Sequence, residues 1–519
     1  MKKARDHSQS EEVHLYPEAR ACPGCQQPRA ERYRKQRYII TLRGELKVIN
    51  HWLECRTARC AWRGVRVRPE QEDVLALRGY NFGLEVVARI GELRYREHRT
   101  LAQIQQALSV PISLKEVELL SEVFLALVTT HARDDAQLLE QLRAQGGIIL
   151  AIDGVQPEKG NETLYLLRDL WSRRVLVARN LLSSASAEIA ALLEEVLALG
   201  VEIHGVISDK QESLCLAIAR TLPEVPHQLC HFHYLRDAAL PVCEADRKLK
   251  KELKQKVRGV REVERKVAVQ QTAASGVVRD YCLALRTVIR ADGKYPLDPA
   301  GLTLWERLQQ LKKSLVRALE QRSDAQLRRL LKLVSTSDQF AIPSARLVTA
   351  FGWVHQIAQL LESDLLRVEA EAQLRDYVLR LAPGTDAWLC EIAAHLWKVT
   401  QAFAPGLFVY REEARLPRTN NELELFIGDL KKGHRHVTGR KDTAEFILRE
   451  GRAVAIFSSL PAPVDWVTAF ARLDLSHFQQ VLTDLRRSEE RSKAWQARRN
   501  LSSYLDDLEA RWSAAADSS

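Results

Sequence analysis

Residues Gly146-Gly147-Ile148-Ile149-Leu150-Ala151-Ile152-Asp153 decide the fold class. The five apolar side chains from Ile148 to Ile152 are far too few to span a membrane. Without polar alternation they predict a strand buried on both faces, and the run ends on a carboxylate. Downstream, Leu164 to Leu167 and Val175 to Val177 predict two more strands, with Trp171-Ser172-Arg173 at the turn. Ser186 to Leu199 predicts a helix with apolar Ile189, Leu192, Leu193, Val196 and Leu197. Val201 to Ile207 predicts a fourth strand, ending at Ser208-Asp209. After a second helix, Val225 to Leu229 predicts a fifth, followed by Cys230-His231-Phe232-His233. The order strand, strand, strand, helix, strand, helix, strand predicts an α/β core on a mixed five-stranded sheet.

The first and fourth strands each finish on an aspartate. If they are neighbours, Asp153 and Asp209 face each other across a short gap and repel unless a cation lies between them. Hard oxygen ligands favour Mg²⁺ or Mn²⁺. Two such ions about 3.5–4 Å apart suit phosphoryl transfer. A strand-end aspartate is also an ordinary turn or cap residue, but the pair in this strand order favours a site.

A third carboxylate is expected from a distant helix. In Thr419-Asn420-Asn421-Glu422-Leu423-Glu424-Leu425-Phe426, the side chains of Leu423, Phe426, Ile427 and Leu430 predict the buried stripe. Glu422 and Glu424 fall on opposite flanks, about 200° apart. With Thr419 as N-cap, Glu422 has the third-position role of a capping box, which leaves Glu424 for the site. The segment from Lys431 to Lys441 has five cations (Lys431, Lys432, Arg435, Arg440, Lys441) and no acid. A charge run is usually a solvated face; beside the third carboxylate it is placed to hold a phosphate backbone.

Near the N-terminus, Cys22-Pro-Gly-Cys25 and Cys55-Arg-Thr-Ala-Arg-Cys60 flank two predicted strands, Tyr38 to Leu42 and Leu46 to Trp52. Two short-spaced cysteine pairs at the ends of a hairpin can set four thiolates tetrahedrally around one structural Zn²⁺, with no open position. Seven cations against two acids (Glu31, Glu45) lie between Arg29 and Lys47, so the ribbon reads either as a solvated hairpin or as a phosphate-contacting one. After it, Thr100-x-x-Gln103 and Ser113-x-x-Glu116 predict two capping boxes. With Phe82 to Tyr95 they resemble a helix-turn-helix. The exposed set Lys115, Glu116, Glu118 and Glu122 is mostly acidic, which suits plain packing as well as groove reading.

Taken together, ILAIDG, GVISDKQESL, the CHFH after the fifth strand and TNNELELF resemble DDE transposases on a ribonuclease-H-like fold, nearest to Mutator-like elements and related bacterial insertion-sequence transposases. The resemblance implies that Asp153, Asp209 and Glu424 are the catalytic acids, with Asp153 bridging two Mg²⁺ or Mn²⁺ ions and each of the others completing one. It maps the family's Cys-x-x-His pair onto Cys230 and His233, and its Asn-Asn-x-x-Glu segment onto Asn420, Asn421 and Glu424. Cys230 and His233 are expected to be architectural rather than zinc ligands, as a buried cysteine beside a packed histidine commonly is. It also implies DNA as partner (terminal inverted repeats and target) and a homo-oligomer on DNA. The match covers roughly residues 146–240 and 416–450. A non-catalytic DNA-binding regulator, a decayed element and a ribonuclease-H-like nuclease without strand transfer remain alternatives.

The resulting organisation is a zinc ribbon (1–75), a helix-turn-helix-like region (76–145), the first part of the core (146–240), an all-α insertion (241–415), the acidic helix and basic segment (416–460) and C-terminal helices (461–519). In the insertion, Leu304, Leu308, Leu311, Leu315 and Leu319 form one stripe, and Trp305, Trp353, Trp388 and Trp397 are expected in the core. Lys248 to Lys266 carries both signs with cations leading; it reads as a solvated helix or as a track for DNA. Composition is that of a globular chain, with 46% hydrophobic and 28% charged residues, which excludes disorder. The net charge of +10 is compatible with nucleic acid without demanding it. Nine cysteines, five of them scattered, predict a reducing cytoplasmic compartment and no disulfide framework. The first fourteen residues carry charge but no apolar core, so no signal peptide is expected there; nucleoid association follows from the DNA reading.

Overall fold

The structure, a computed structural model, describes residues 7, 10–133, 135–157, 161–270, 272–290, 292–413, 415–462, 464–471 and 473–516. Most of the charged N-terminal stretch in which no signal peptide is expected (1–6, 8 and 9) lies outside the described residues.

The N-terminal sheet is built on a hairpin of β2 (Ala30–Thr41) and β3 (Gly44–Glu54), closed where Thr41 pairs with Gly44. Strand β1 (Glu11–Leu15) lies parallel to β3, and the short β4 (Arg66–Val67) pairs with its far end. The hairpin is longer than its apolar pattern, because the exposed half of β2 is held by the backbone ladder rather than by burial. Its apolar end packs Ile39 and Val48 onto Ala76.

Both capping boxes form. Gln103 N donates to Thr100 Oγ1 and Thr100 N to Gln103 Oε1, opening the helix Leu101–Ala107. Ser113 and Glu116 make the same exchange ahead of Leu114–Arg133. The second helix is buried through most of Val117–Val128; its Phe124 ring stacks on Tyr95 and meets Phe457, Trp466 and Phe470 edge to face. It is a core element; of the acidic set read from the sequence, Lys115 and Glu118 are exposed, Glu116 closes the capping box and Glu122 pairs with Arg449 at 3.1 Å.

Five strands make one mixed sheet: β5 (Ile148–Val155), β6 (Thr163–Asp169), β7 (Val175–Leu181), β8 (Ile203–Ser208) and β9 (His227–Leu229), in the order β7-β6-β5-β8-β9. Strand β6 runs antiparallel to both β5 and β7, and β8 and β9 are parallel. Gly146 and Gly147 have φ of 83° and 116°, a left-handed approach that favours glycine, and they deliver the chain into β5. The β6–β7 turn is fixed by buried Asp169, whose Oδ2 accepts from Ser172 N (2.8 Å) and Ser172 Oγ (2.6 Å). Strand β5 runs two residues past Asp153, because Gly154 and Val155 still find partners in Tyr165 and Leu164. Strand β9 begins after Pro226, which has no N–H for the ladder.

Contacts group the chain into two compact units: Met1–Ile203 with Leu216–Thr221 and Asn421–Ser519, and His204–Cys215 with Leu222–Asn420. Beyond β9 the second unit is helical, including Leu240–Lys256, Val260–Ala268, Ala273–Arg290 and Ala300–Gln321. Leu304, Leu308 and Leu315 are buried in its core, with Leu311, Leu319 and the four expected tryptophans packed against it. No helix of the described residues is long and apolar enough to cross a membrane.

Within this unit the fully buried carboxylate of Asp246 accepts from Tyr295 Oη (2.6 Å), Gly301 N and Leu302 N (both 2.7 Å), tying one helix to the start of another. Asp246→Ala strands three donors away from water and should lower unfolding free energy by about 3–5 kcal/mol in urea titrations. A loss below about 1 kcal/mol would show that the carboxylate does not hold this junction.

Candidate functional site

The four N-terminal cysteines converge. Cys22 and Cys25 form a tight turn before β2, and Cys55 and Cys60 follow β3 directly. The Cys22 and Cys60 sulfurs are 3.6 Å apart, those of Cys25 and Cys55 are 3.7 Å apart, and all four lie within 4.8 Å of one another. A tetrahedral Zn²⁺ with Zn–S of about 2.3 Å needs sulfurs about 3.8 Å apart. The cluster can therefore hold a structural zinc ion, and four thiolates leave no open position for chemistry. Trp62 N donates to Cys60 Sγ at 3.4 Å, although burial and the neighbouring sulfurs push that thiol up, while the Thr57 hydroxyl, 3.4 Å from Cys25 Sγ, pulls the Cys25 thiol down to about 6. Gly24 admits no larger residue, since a Cβ there would lie 2.7 Å from Trp62 Cδ1 and 3.2 Å from Cys60 Sγ.

In the first unit, Asp153 is half-buried beside Gly154, whose N–H it accepts through Oδ1 at 2.8 Å. The helix Asn421–Thr438 packs on β5 through its buried stripe Leu423, Ile427 and Leu430; Phe426 is only half-buried. Burial lowers the Lys431 ammonium from the ordinary lysine value, while the facing Asp153 carboxylate pulls it back up. Glu424 lies seven residues before Lys431, on the same helix face to within about 20°. Glu424 therefore shares the face that Lys431 turns toward Asp153.

Glu422 departs from its expected capping role. The helix begins at Asn421, one residue too late for Thr419 to cap it with Glu422 in third position. Glu422 instead pairs with Arg173 (3.3 Å) and with buried Arg168 (3.7 Å), whose guanidinium covers the Phe426 ring at 4.5 Å. Sequence reasoning misses Arg168. Its signal is a cation at the end of the otherwise apolar run Leu164–Leu167.

In the second unit, Asp209 follows β8, is half-buried and accepts from Gln211 N at 3.0 Å. Ser208 O receives the N–H of Cys230, which leaves the neighbouring β9. Cys230 is fully buried, and its sulfur accepts the N–H of Asn420 at 3.3 Å. His231 N reaches Arg418 O at 3.0 Å. Cys230 thus anchors the segment that enters the acidic helix, with Asn420 buried against it and exposed Asn421 opening the helix. His233 is buried on the helix His231–Ala238, beside the Phe232 ring.

The basic segment divides. Lys431 is half-buried, whereas Lys432, Arg435, Arg440 and Lys441 are exposed. Lys432 pairs with Asp429 (2.8 Å), Arg440 reaches Glu445 (3.5 Å), and Arg435 Nε donates to Lys441 O (3.3 Å). All three contacts are solvated and worth little, so these cations can change partner cheaply. No family model matches the chain, and no curated protein is detectably similar to it.

Two outcomes test these arrangements. Purified protein should carry one zinc per chain by elemental analysis, and Cys22→Ser or Cys55→Ser should lose it and melt the ribbon without unfolding the helical unit. His231 is buried, donates Nε2–H to Leu407 O at 2.6 Å, and is held to about 4 by burial. Below pH about 6.5 the unfolded chain takes up a proton that folded His231 refuses, so stability is lost as pH falls toward 4. The loss should approach about 1.4 kcal/mol per pH unit from this residue. Denaturant titrations of His231→Gln should show a flatter pH dependence across that window.

Proposed function

We propose that the protein is a DNA transposase of the DDE type, with a ribonuclease-H-like core, that cuts and joins element ends by phosphoryl transfer. The observation that carries the reading lies within the first unit, where Asp153 ends the buried run of β5. The helix with Glu424 packs on β5, with a lysine of the same face turned to Asp153. Carboxylates brought close repel unless a cation lies between them, which is the chemistry this reading supplies.

In this reading Asp153, Asp209 and Glu424 would hold two Mg²⁺ or Mn²⁺ ions. All three are hard carboxylate oxygens on half-buried side chains, the donor type that such ions prefer. Bound ions supply charge stabilisation at the attacking and leaving oxygens. Water attacks the phosphorus at the element end, the P–O3′ bond breaks and the 3′ oxygen leaves with a proton. That 3′ hydroxyl then attacks a target phosphorus and displaces a second 3′ oxygen. Both steps are in-line displacements, so one set of acids serves both. Lys431, Lys432, Arg435, Arg440 and Lys441 hold the backbone, and the zinc ribbon and the helices after it bind the element ends. Joining two ends calls for an oligomer on DNA, in a cytoplasmic, nucleoid-associated setting.

End-cleavage and strand-transfer assays with Mg²⁺ test the proposal. Asp153→Asn, Asp209→Asn and Glu424→Gln should each reduce cutting by at least about 10³-fold while DNA binding is retained. Retained cutting in any one removes that residue from the site. Cutting without joined products would indicate a nuclease instead.

A further inference from the structure

The helical unit carries a second concentration of charge, in residues that the catalytic reading does not use. A cavity of about 490 Å³ opens where the helix Leu240–Lys256 ends, Val260–Ala268 begins and Ala273–Arg290 ends. Lys254, Arg258, Arg261, Arg286 and Arg290 line it over an apolar floor, with no acid among the lining residues. A second hollow of about 410 Å³ shares Lys254 and adds Arg247, Lys250 and Lys251 against one acid, Asp292.

Most of this charge is uncompensated. Lys250 pairs with Asp292 at 2.5 Å and Arg286 with Glu264 at 3.1 Å. Lys254, Arg258, Arg261 and Arg290 take part in no ion pair among the described residues. The neighbourhood is positive enough that Lys250, and further off Lys254, hold the exposed Asp292 carboxyl below its ordinary value. Cations at helix C-termini complement the macrodipole, but two ends supply only about −0.5 charge each. That leaves most of five converging cations to repel one another unless an anion joins them.

The spacing points to a linear anion. Arg247, Lys250, Lys251 and Lys254 stand at i, i+3, i+4 and i+7, a single flank about 10 Å long. That is the axial reach of about three phosphates of one DNA strand, and the cavity beyond Lys254 extends the track. We propose that this cleft binds the phosphate backbone of duplex DNA without regard to sequence. The inference rests on the transposase reading for the choice of DNA, and on its own residues for the binding.

The test is binding of the full-length, zinc-loaded protein to a random-sequence duplex across a salt series, followed by fluorescence anisotropy. In the variant Lys254→Gln/Arg258→Gln/Arg261→Gln/Arg290→Gln, the slope of log K against log salt should fall by roughly 2–4, at about 0.9 per lost phosphate contact. Affinity at moderate salt should fall at least about tenfold. The double variant Arg261→Gln/Arg290→Gln should show about half the slope change, which guards against misfolding of the fuller variant. The charge-matched control Lys313→Gln/Arg317→Gln/Arg322→Gln/Lys332→Gln should leave the slope unchanged. An equal loss in this control, an unchanged slope in the cleft variants, or no duplex binding by the wild type would each overturn the proposal. Mg²⁺-dependent cutting is scored in parallel, with Asp153→Asn as reference. Binding carried by the cleft in a protein that never cuts would sink the transposase reading alone. Cutting with an unaffected slope would sink the cleft alone.

Discussion

Strand β5 cannot lie at a surface. Ile148, Ile149, Leu150, Ala151 and Ile152 are all fully buried, so both of its faces must be covered. Each large aliphatic side chain contributes roughly 1.5–3 kcal/mol when removed from water, and exposing either face would forfeit about half of them. The sheet meets this constraint by placing β5 in the middle, with β6 on one edge and β8 on the other. The first side chain along the strand to regain partial exposure is that of Asp153, and Gly154 beyond it is exposed. A carboxylate there stands at the boundary between a dry core and solvent, so its charge escapes full burial.

The same logic accounts for Cys230. Strand β9 is only three residues long, too short to hold itself in register by its ladder alone. It is fixed from its end: Cys230 donates its N–H to Ser208 O and accepts the N–H of Asn420 on its sulfur. Gln228, buried within β9, donates Nε2–H to Leu407 O (2.8 Å) and accepts the N–H of Tyr410 (2.9 Å). A cysteine suits the position because it is small, tolerates full burial and still offers a weak acceptor. The segment it anchors is the one that enters the helix carrying Glu424.

What is legible in the sequence is local. The cysteine spacing, the two capping boxes, the apolar run into Asp153 and the leucine stripe from Leu304 each depend on residues within a few turns or one hairpin. All of these features are present in the fold. The acidic flank of Leu114–Arg133 is equally local, and it accords with the packing role of that helix in the core. The misreadings share the opposite character. Glu422 has the sequence of a capping residue, but the helix starts only at Asn421, and the side chain lies beside Arg168 of the sheet and Arg173 of the β6–β7 turn instead. The apolar pattern of β5 stops short of Gly154 and Val155, yet a hairpin partner carries the strand through them.

The basic cleft illustrates the limit of periodicity most clearly. The flank Arg247, Lys250, Lys251 and Lys254 is readable as one helical stripe, but Arg258, Arg261, Arg286 and Arg290 join it only through packing of three helices. Asp246 explains why the flank is held still. It sits one residue before Arg247 on the buried side of the same helix, and its bonds to Tyr295, Gly301 and Leu302 fix the helix's rotation about its axis. Val242, Leu249 and Leu253 are buried on that side, so the cations are turned outward as a set. Self-repelling charges on a mobile helix would relax by rotating apart. On a helix pinned by a buried carboxylate they cannot, and the unfavourable energy of their proximity is held ready for a polyanion, which then loses less to ordering the site on binding.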